Sequence, residues 1–273
     1  MIIVGERING TRTRVRDALV ARDADFIAEE AMRQAEAGAD YIDLNAGTDP
    51  QREPEDLIWL VRTVQEAVDR PLCIDSPSVD ALRAGIEACQ ATVARQSKPL
   101  VNSASAESGR MEAVLGLVAQ HGARVVGLTL DDNGLPKTAR ERISIAKTLA
   151  ERAKELGIAR EDIFIDPLAR AVAVENEQGA AFLDAVAGIK EALPGIHAIC
   201  GLSNISFQMP ARRLLNRTFV GMAMARGLDA AIVDPLDGGL MAAICAANVL
   251  LGQDEMCIGY IQAHRAGRLA EWS

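Results

Sequence analysis

Eight short apolar runs, separated by longer segments with helical periodicity, constrain the fold of this chain more than any other feature. Each run is almost continuously apolar, which is typical of strands covered on both faces. The intervening segments predict helices, among them residues 53–69, 78–94, 139–155 and 176–192. Eight strands, each followed by a helix, predict an α/β fold of the (β/α)8 TIM-barrel type. The expected strands are IIVGE (2–6), YIDLN (41–45), LCIDS (72–76), LVNSAS (100–105), RVVGLTL (124–130), IFIDP (163–167), AICGLS (198–203) and AAIVDP (230–235).

The chain length fits one such barrel. The sequence has 273 residues, a barrel of this type usually takes about 250, and no linker divides the series, so we expect a single domain over residues 1–273. Thr138 and Glu141 have the spacing of a capping box at the start of a helix. An open doubly wound sheet is the alternative fold. It usually carries a GxGxxG motif after its first strand, and this sequence has none there.

Composition and charge narrow the range of partners. The formal net charge is −9 and no run is rich in lysine or arginine, which argues against a nucleic-acid partner. The N-terminal MIIVGERING lacks the basic region of a signal peptide. The longest apolar stretch, near residue 245, is shorter than the roughly 20 residues that span a bilayer. We therefore expect a cytoplasmic protein without a membrane partner.

The cysteines and histidines form no metal-site pattern. The five cysteines are scattered without a CxxC pair, which predicts buried thiols in a reducing compartment. No HxH or HExxH motif is present and no histidine ends a predicted strand, so we expect no metal bound by this chain. We interpret His121, His197 and His264 as structural or surface residues. The cysteines are Cys73, Cys89, Cys200, Cys245 and Cys257.

The carboxyl ends of the predicted strands are polar, and in TIM barrels that end of the strands carries the active site. Each polar residue could instead cap the helix that follows, since Asp, Asn and Ser are favoured at such positions. The repetition over so many successive units favours a shared pocket. The residues are Glu6, Asp43, Asn45, Asp75, Asn102, Asp166, Ser203, Asn204 and Asp234.

This set of side chains predicts a hydrogen-bonding pocket without an obvious nucleophile. No GxSxG motif and no P-loop are present, and Lys137 follows the fifth strand instead of lying on it. Carboxylates and amides suit a planar heterocycle with an amidine-like edge. A pterin offers a 2-amino group and an N3–H as paired donors to a carboxylate, with a carbonyl and ring nitrogens for an amide.

Six short motifs occur in order at the predicted strand ends: GERIN (5–9), DLNAG (43–47), CIDSP (73–77), VNSAS (101–105), IDPL (165–168) and GLSNIS (201–206). Together they resemble the methyltetrahydrofolate:corrinoid methyltransferases. These belong to the pterin-binding superfamily, with the folate domain of cobalamin-dependent methionine synthase and dihydropteroate synthase. The resemblance implies a homodimeric barrel that moves a methyl group between N5 of methyltetrahydrofolate and the cobalt of a corrinoid.

The same resemblance implies roles for individual residues. Asp75, Asn102 and Asp166 would hold the pterin edge. Asn204 would hydrogen-bond N5 and is the expected catalytic residue. The remaining expected substrate-binding residues are Glu6 and Asp43, which line the mouth, and Arg212, which lies beside it after the seventh strand.

The corrinoid is expected to arrive on a separate protein. The chain has no DxHxxG motif and no length left for a corrinoid domain after the barrel. The loop SFQMPARR (206–213) resembles the methionine synthase folate domain, which leaves the identity of the corrinoid protein open. The direction of transfer is open as well, because the chemistry is reversible. The alternatives are a dihydropteroate synthase-like enzyme and a non-catalytic folate-binding partner. For the homodimer, small and Met-rich helix faces near 218–226 and 239–251 are the candidate contact.

Overall fold

A parallel eight-stranded barrel surrounded by helices forms the protein, as the sequence predicts. The computed structural model describes residues 1–89 and 98–269. The strands are β1 (Ile2–Asn9), β2 (Tyr41–Asn45), β3 (Leu72–Asp75), β4 (Leu100–Ala106), β5 (Arg124–Asp131), β6 (Ile163–Asp166), β7 (His197–Ala198) and β8 (Ala230–Val233). The α-helices are α1 (Thr13–Ala21), α2 (Ala24–Glu36), α3 (Glu53–Ala67), α4 (Val79–Ala88), α5 (Ser108–His121), α6 (Ala139–Glu155), α7 (Gln178–Ala192), α8 (Arg212–Ala225), α9 (Gly238–Leu250) and α10 (Ile258–Arg265).

The sheet runs in the order β7-β6-β5-β4-β3-β2-β1-β8 and is nearly closed between its two end strands. Closure there rests on a parallel bridge between Gly201 and Ile232. The Ile232 amide donates to the Cys200 carbonyl at 2.9 Å, and the Asp229 amide donates to the Ala198 carbonyl at 3.2 Å. Closure satisfies backbone groups that an open edge would leave exposed.

Two apolar layers account for the continuous apolar runs. Outward-facing strand residues pack against the helices and form the larger core. Inward-facing residues form a separate cluster that fills the barrel, so the interior is packed and the barrel is not a pore. This plug consists of Val4, Tyr41, Cys73, Leu100, Val126, Phe164, Ile199 and Ala230.

The predicted elements agree with the structure except at the seventh strand. The run 198–203 predicted a strand, but β7 comprises only two residues, and Leu202–Ser206 form a 3₁₀ turn. The prediction was wrong here because the run stays apolar through Leu202, which is typical of a strand. The backbone amides that follow instead form local hydrogen bonds, such as that of Asn204 to the Gly201 carbonyl. The helix predicted over 78–94 is observed as Val79–Ala88, and residues 90–94 lie outside the described residues. The capping box of Thr138 and Glu141 is confirmed.

The structure separates the cysteines by burial. Cys73 and Cys200 are buried and no cysteine in the described residues forms a disulfide, but Cys257 is exposed, so the expectation of buried thiols fails for that residue. His197 stacks on Phe164 with ring centroids 4.5 Å apart, in keeping with a structural role. No helix of the described residues is both long and apolar enough to cross a membrane.

Candidate active site

The polar strand ends lie on the inner face of the barrel, directly above the apolar plug. Side chains along a strand alternate between its two faces, so residues two apart share one face. Glu6 follows Val4 by this spacing, and Asp166 follows Phe164 in the same way. The same step places Asp43 above Tyr41, Asp75 above Cys73, Asn102 above Leu100 and Asp234 above Ile232. One register therefore brings carboxylates and amides from six strands to a single mouth.

Asp43 and Asp75 form the centre of this polar layer on β2 and β3. Burial and the neighbouring Asp75 raise the pKa of Asp43 well above its ordinary value, and Cys73 and Asn102 oppose the rise. Its Oδ1 atom is buried and has no hydrogen-bond partner in the part of the chain that the structure describes. A buried acceptor without a partner is costly, so this atom is suited to accept a hydrogen bond from a ligand.

Asp75 accepts a hydrogen bond from Asn45, which the sequence analysis identified only as a residue at a strand end. Asn45 donates from Nδ2 to Asp75 Oδ2 at 2.9 Å. Burial raises the pKa of Asp75 to about 6, with a further contribution from Glu53. Arg110 opposes this rise, and its guanidinium donates to the carbonyls of Ser76, at 3.0 Å, and Ser103, at 2.7 Å. Arg110 therefore links the segment after β3 to the middle of β4. Sequence reasoning missed it because it lies within α5.

Asp166 forms the β6 side of the mouth. Its side chain is buried, and burial raises its pKa to about 7 against the hydrogen bonds from the backbone amides of Leu168 and Gly201. The Leu168 amide donates to Oδ1 at 2.7 Å. A carboxyl group in this state ionises readily when paired donors reach it.

Arg142 of α6 lies behind Asp166 and is the largest fully buried side chain described. It donates from Nη2 to Gln178 Oε1 at 2.7 Å, and its Nε and Nη1 have no hydrogen-bond partner among the described residues. Its charge lowers the pKa of Asp166, opposing the effect of burial. The helical pattern of α6 gives no sign that this one arginine faces inward.

Asn204 lies in the 3₁₀ turn after β7 and is exposed at the rim of the mouth. A Cβ atom on Gly201 would lie 3.1 Å from Asn204 Nδ2, so the amide folds back closely over this glycine. The Gly201 backbone also lowers the pKa of Asp166, so this glycine lies next to both predicted site residues. Arg212 fixes the turn by donating to the Ser203 carbonyl at 2.9 Å and to Ser206 Oγ at 3.1 Å.

Glu6 lies on the β1 side of the mouth, between acidic and basic neighbours. Burial and the charge of Asp234 raise its pKa to about 7, and Arg12 and Arg212 oppose the rise. Arg7 donates from Nη1 to Asp234 Oδ2 at 2.8 Å. The seven predicted site residues therefore fall around one opening, but they divide into two parts. Asp43, Asp75, Asn102 and Asp166 form the interior, while Glu6, Asn204 and Arg212 form the rim.

Lys137 and the possible metal ligands complete the description of the site. Lys137 is exposed in the segment before α6, and its backbone amide bonds Glu141 Oε2 at 2.7 Å. In the described residues no three His, Cys, Asp or Glu side chains are grouped as a metal site would require. The mouth presents hydrogen-bond acceptors from carboxylates over an apolar floor, and its donors include the side-chain amides of Asn45, Asn102 and Asn204.

Known proteins share both the sequence and the fold. The model of a family described as pterin binding enzymes matches residues 5–234. The chain belongs to the pterin-binding enzymes. It is 42% identical over 272 residues to a methylcorrinoid:tetrahydrofolate methyltransferase of Eubacterium limosum, covering 98% of both chains. This match confirms the resemblance to the methyltetrahydrofolate:corrinoid methyltransferases.

More distant relatives share part of the sequence or the fold. The chain is 30% identical over 246 residues to methionine synthase of Mycobacterium leprae, covering 85% of this chain and 20% of that protein. Two solved dihydropteroate synthases share the fold. That of Yersinia pestis has a TM-score of 0.68 at 17% identity, with 92% of this chain and 93% of that chain covered. That of Clostridium difficile has a TM-score of 0.69 at 19% identity, with 92% and 96% covered. At these identities the two structures bear on the fold alone.

Proposed function

We propose that the protein is a methyltransferase that moves a methyl group between N5 of methyltetrahydrofolate and the cobalt of a corrinoid. One observation of the structure carries this proposal: a buried and half-buried set of carboxylates and amides, with Asn204 at its rim, fits a pterin. The Eubacterium limosum relative is named for the same two reactants, a methylcorrinoid and tetrahydrofolate. We assign the whole activity to one barrel domain spanning residues 1–273.

The donor set of a pterin matches the acceptors of the mouth. The 2-amino group and N3–H need an acceptor with two oxygens, which Asp166 or Asp75 supplies when ionised. The unpartnered Oδ1 of Asp43 accepts a further donor, and Asn102 serves a ring nitrogen or the carbonyl. Binding removes water from these groups, so each hydrogen bond counts for more than it would at the surface.

Asn204 acts where the chemistry takes place. When the N5–CH₃ bond breaks, its electron pair stays on N5, the methyl group joins cobalt, and N5 gains a proton. An amide N–H at N5 stabilises the charge that develops there. Arg212 positions this amide by holding the turn Leu202–Ser206. Asparagine does not release a proton at neutral pH, so the proton reaches N5 from elsewhere.

We assign the corrinoid to a separate protein that approaches the rim. Asn204 is exposed, and Phe207, three residues further on, is 55% exposed beside it. A macrocycle carried by another protein reaches N5 only if this rim stays open. An apolar ring such as Phe207 is suited to contact its face.

We further propose a cytoplasmic homodimer. Exposed apolar side chains support the second copy: Met222 on α8, Leu250 on α9, Met256 just before α10 and Ile258 at its start. Apolar side chains grouped in this way are a common feature of subunit contacts. Analytical ultracentrifugation of the full chain tests the dimer, and a monomer at micromolar concentration would contradict it.

Calorimetric titration of the full chain with methyltetrahydrofolate tests the pterin site. We expect saturable binding that both Asp75→Ala and Asp166→Ala abolish. Asp69→Ala, which removes an exposed carboxylate after α3, is the matched control and should bind as the wild type does. A folded wild-type protein that binds no folate would contradict the proposal.

A further inference from the structure

An open cavity of about 460 Å³ lies beside the mouth, between the end of β1 and helices α1 and α2. Four of its nine lining residues are arginines, in a protein whose net charge is −9. Such a concentration of guanidinium groups has no counterpart in the other cavities described. The lining residues are Arg7, Arg12, Thr13, Arg14, Val15, Phe26, Glu29, Glu30 and Arg33.

The four arginines differ in how far acidic residues neutralise them. Arg7 is bound on both sides, by Glu30 at 2.7 Å and by Asp234 at 2.8 Å. Arg33 pairs with Glu30 at 2.7 Å, so Glu30 is shared between two guanidinium groups. Arg12 is only 3.8 Å from Asp234 Oδ2, and that carboxylate is already held by Arg7.

Arg14 has no acidic partner among the described residues. Its guanidinium lies over the Phe26 ring, 5.1 Å from the centroid. Stacking on an aromatic ring holds the planar group in place and leaves its N–H donors free. Helix α1 also begins without a side-chain cap and without an acidic residue in its first turn. Glu29 and Glu30 also line the cavity, so Arg12 and Arg14 are its least neutralised guanidinium groups.

The cavity lies near the β8–β1 side of the mouth, and two of its arginines link the two regions. Arg12 lines it and also acts electrostatically on Glu6, and Arg7 joins it to Asp234. With the pyrimidine edge of a pterin held by Asp75 and Asp166, N5 lies toward Asn204. The substituent at C6, next to N5, then leaves the mouth on the rim side, where Glu6 and Arg12 are electrostatic neighbours.

We propose that this arginine cavity binds the γ-linked glutamate tail of a folate. The inference rests on the proposed function, because it places the C6 substituent by the pterin site. The C6 substituent of a folate ends in glutamate, and each added γ-glutamyl unit contributes one carboxylate. A γ-glutamyl unit has a longer backbone than an α-linked residue, which extends over roughly 3.5 Å. Three such units therefore span on the order of 10 Å or more. Arginine is the side chain best suited to carboxylates, since its donors bind both oxygens at once.

The test compares methyltetrahydrofolate carrying one and five glutamates by calorimetry on the full chain. The cavity variant is Arg14→Gln/Arg33→Gln, with Arg14→Gln alone as a milder variant that leaves the Arg33–Glu30 pair intact. Arg16→Gln is the matched control, because Arg16 is an exposed arginine of the same helix that does not line the cavity.

We expect the wild type to bind the pentaglutamate form about tenfold more tightly than the monoglutamate form, since several exposed ion pairs act together. The gain should shrink in about 0.5 M salt. The double variant should lose the gain, Arg14→Gln should lose part of it, and Arg16→Gln should keep it. All variants should bind the monoglutamate form alike.

Two results would overturn the inference while the proposed function stands. One is equal affinity of the wild type for the two folates. The other is a gain that survives in the double variant. Failure of the wild type to bind even the monoglutamate form would overturn the proposed function and this inference with it.

Discussion

Replacing Asp166 by asparagine tests the electrostatics of the mouth. Burial raises the pKa of this carboxyl group from 3.8 to about 7. The folded protein therefore keeps a proton that the unfolded chain releases, and stability is lost as the pH rises through this interval. From the difference between the two pKa values, the unfolding free energy falls by about 4 kcal/mol over the whole interval. About 3 kcal/mol of this loss occurs between about pH 5 and pH 8. Asparagine keeps the shape of the side chain and does not titrate.

Urea unfolding of the wild type and Asp166→Asn, followed by circular dichroism from about pH 5 to about pH 8, measures this difference. We expect the unfolding free energy of the wild type to fall by about 3 kcal/mol more than that of the variant. Asp69→Asn, an exposed control, should behave as the wild type does. Identical pH dependence in the wild type and Asp166→Asn would refute the reasoning.

The same carboxyl group sets the pH dependence of folate binding. The paired pterin donors require the ionised form, so wild-type affinity should rise about tenfold per pH unit up to about pH 7 and then level off. The bound pterin thus supplies the hydrogen-bond donors that an ionised Asp166 lacks in the free protein. Affinity that is constant from about pH 5 to about pH 8 would contradict a role for Asp166 at the pterin edge.

Three further substitutions test individual contacts. Asn204→Ala should lower turnover by about 10²–10³ while changing folate affinity little; equal losses in both, measured by steady-state kinetics and calorimetry, would exclude its role at N5. Gly201→Ala places a Cβ 3.1 Å from Asn204 Nδ2, and the shifted amide should cost about tenfold or more in turnover at nearly unchanged affinity; full activity would contradict the positioning. Arg142→Met removes a buried cation near Asp166 and should move the midpoint of folate binding to higher pH; an unmoved midpoint would show that its charge does not act on Asp166.

The interior of the site could be predicted from the sequence because one local rule generates it. A strand covered on both faces is apolar until it leaves the barrel, and alternation then fixes which polar residue points inward. Asp75 and Asp166 each directly end such a run, so their inward direction follows from the pattern. The match of six ordered motifs to a known family added the ligand, which the pattern alone does not specify.

The rim and its supports could not be predicted in the same way, because they depend on tertiary contacts. Asn204 was expected on a strand end, yet it lies in a 3₁₀ turn whose shape depends on Arg212. Arg142 occupies an ordinary helical position, and only the packing of α6 against α7 buries it. The arginine cavity lies between α1 and α2, and its residues are spread from Arg7 to Arg33. No periodicity marks contacts of this kind.

The central claim is methyl transfer at N5, and the most direct test mixes the full chain with methyltetrahydrofolate and free cob(I)alamin. Loss of the cob(I)alamin absorbance and formation of methylcobalamin follow the reaction, and methylcobalamin with tetrahydrofolate tests the reverse direction. We predict transfer in both directions, with tetrahydrofolate formed in equal amount to methylcobalamin. A folded protein that binds the folate and transfers no methyl group in either direction would contradict the account.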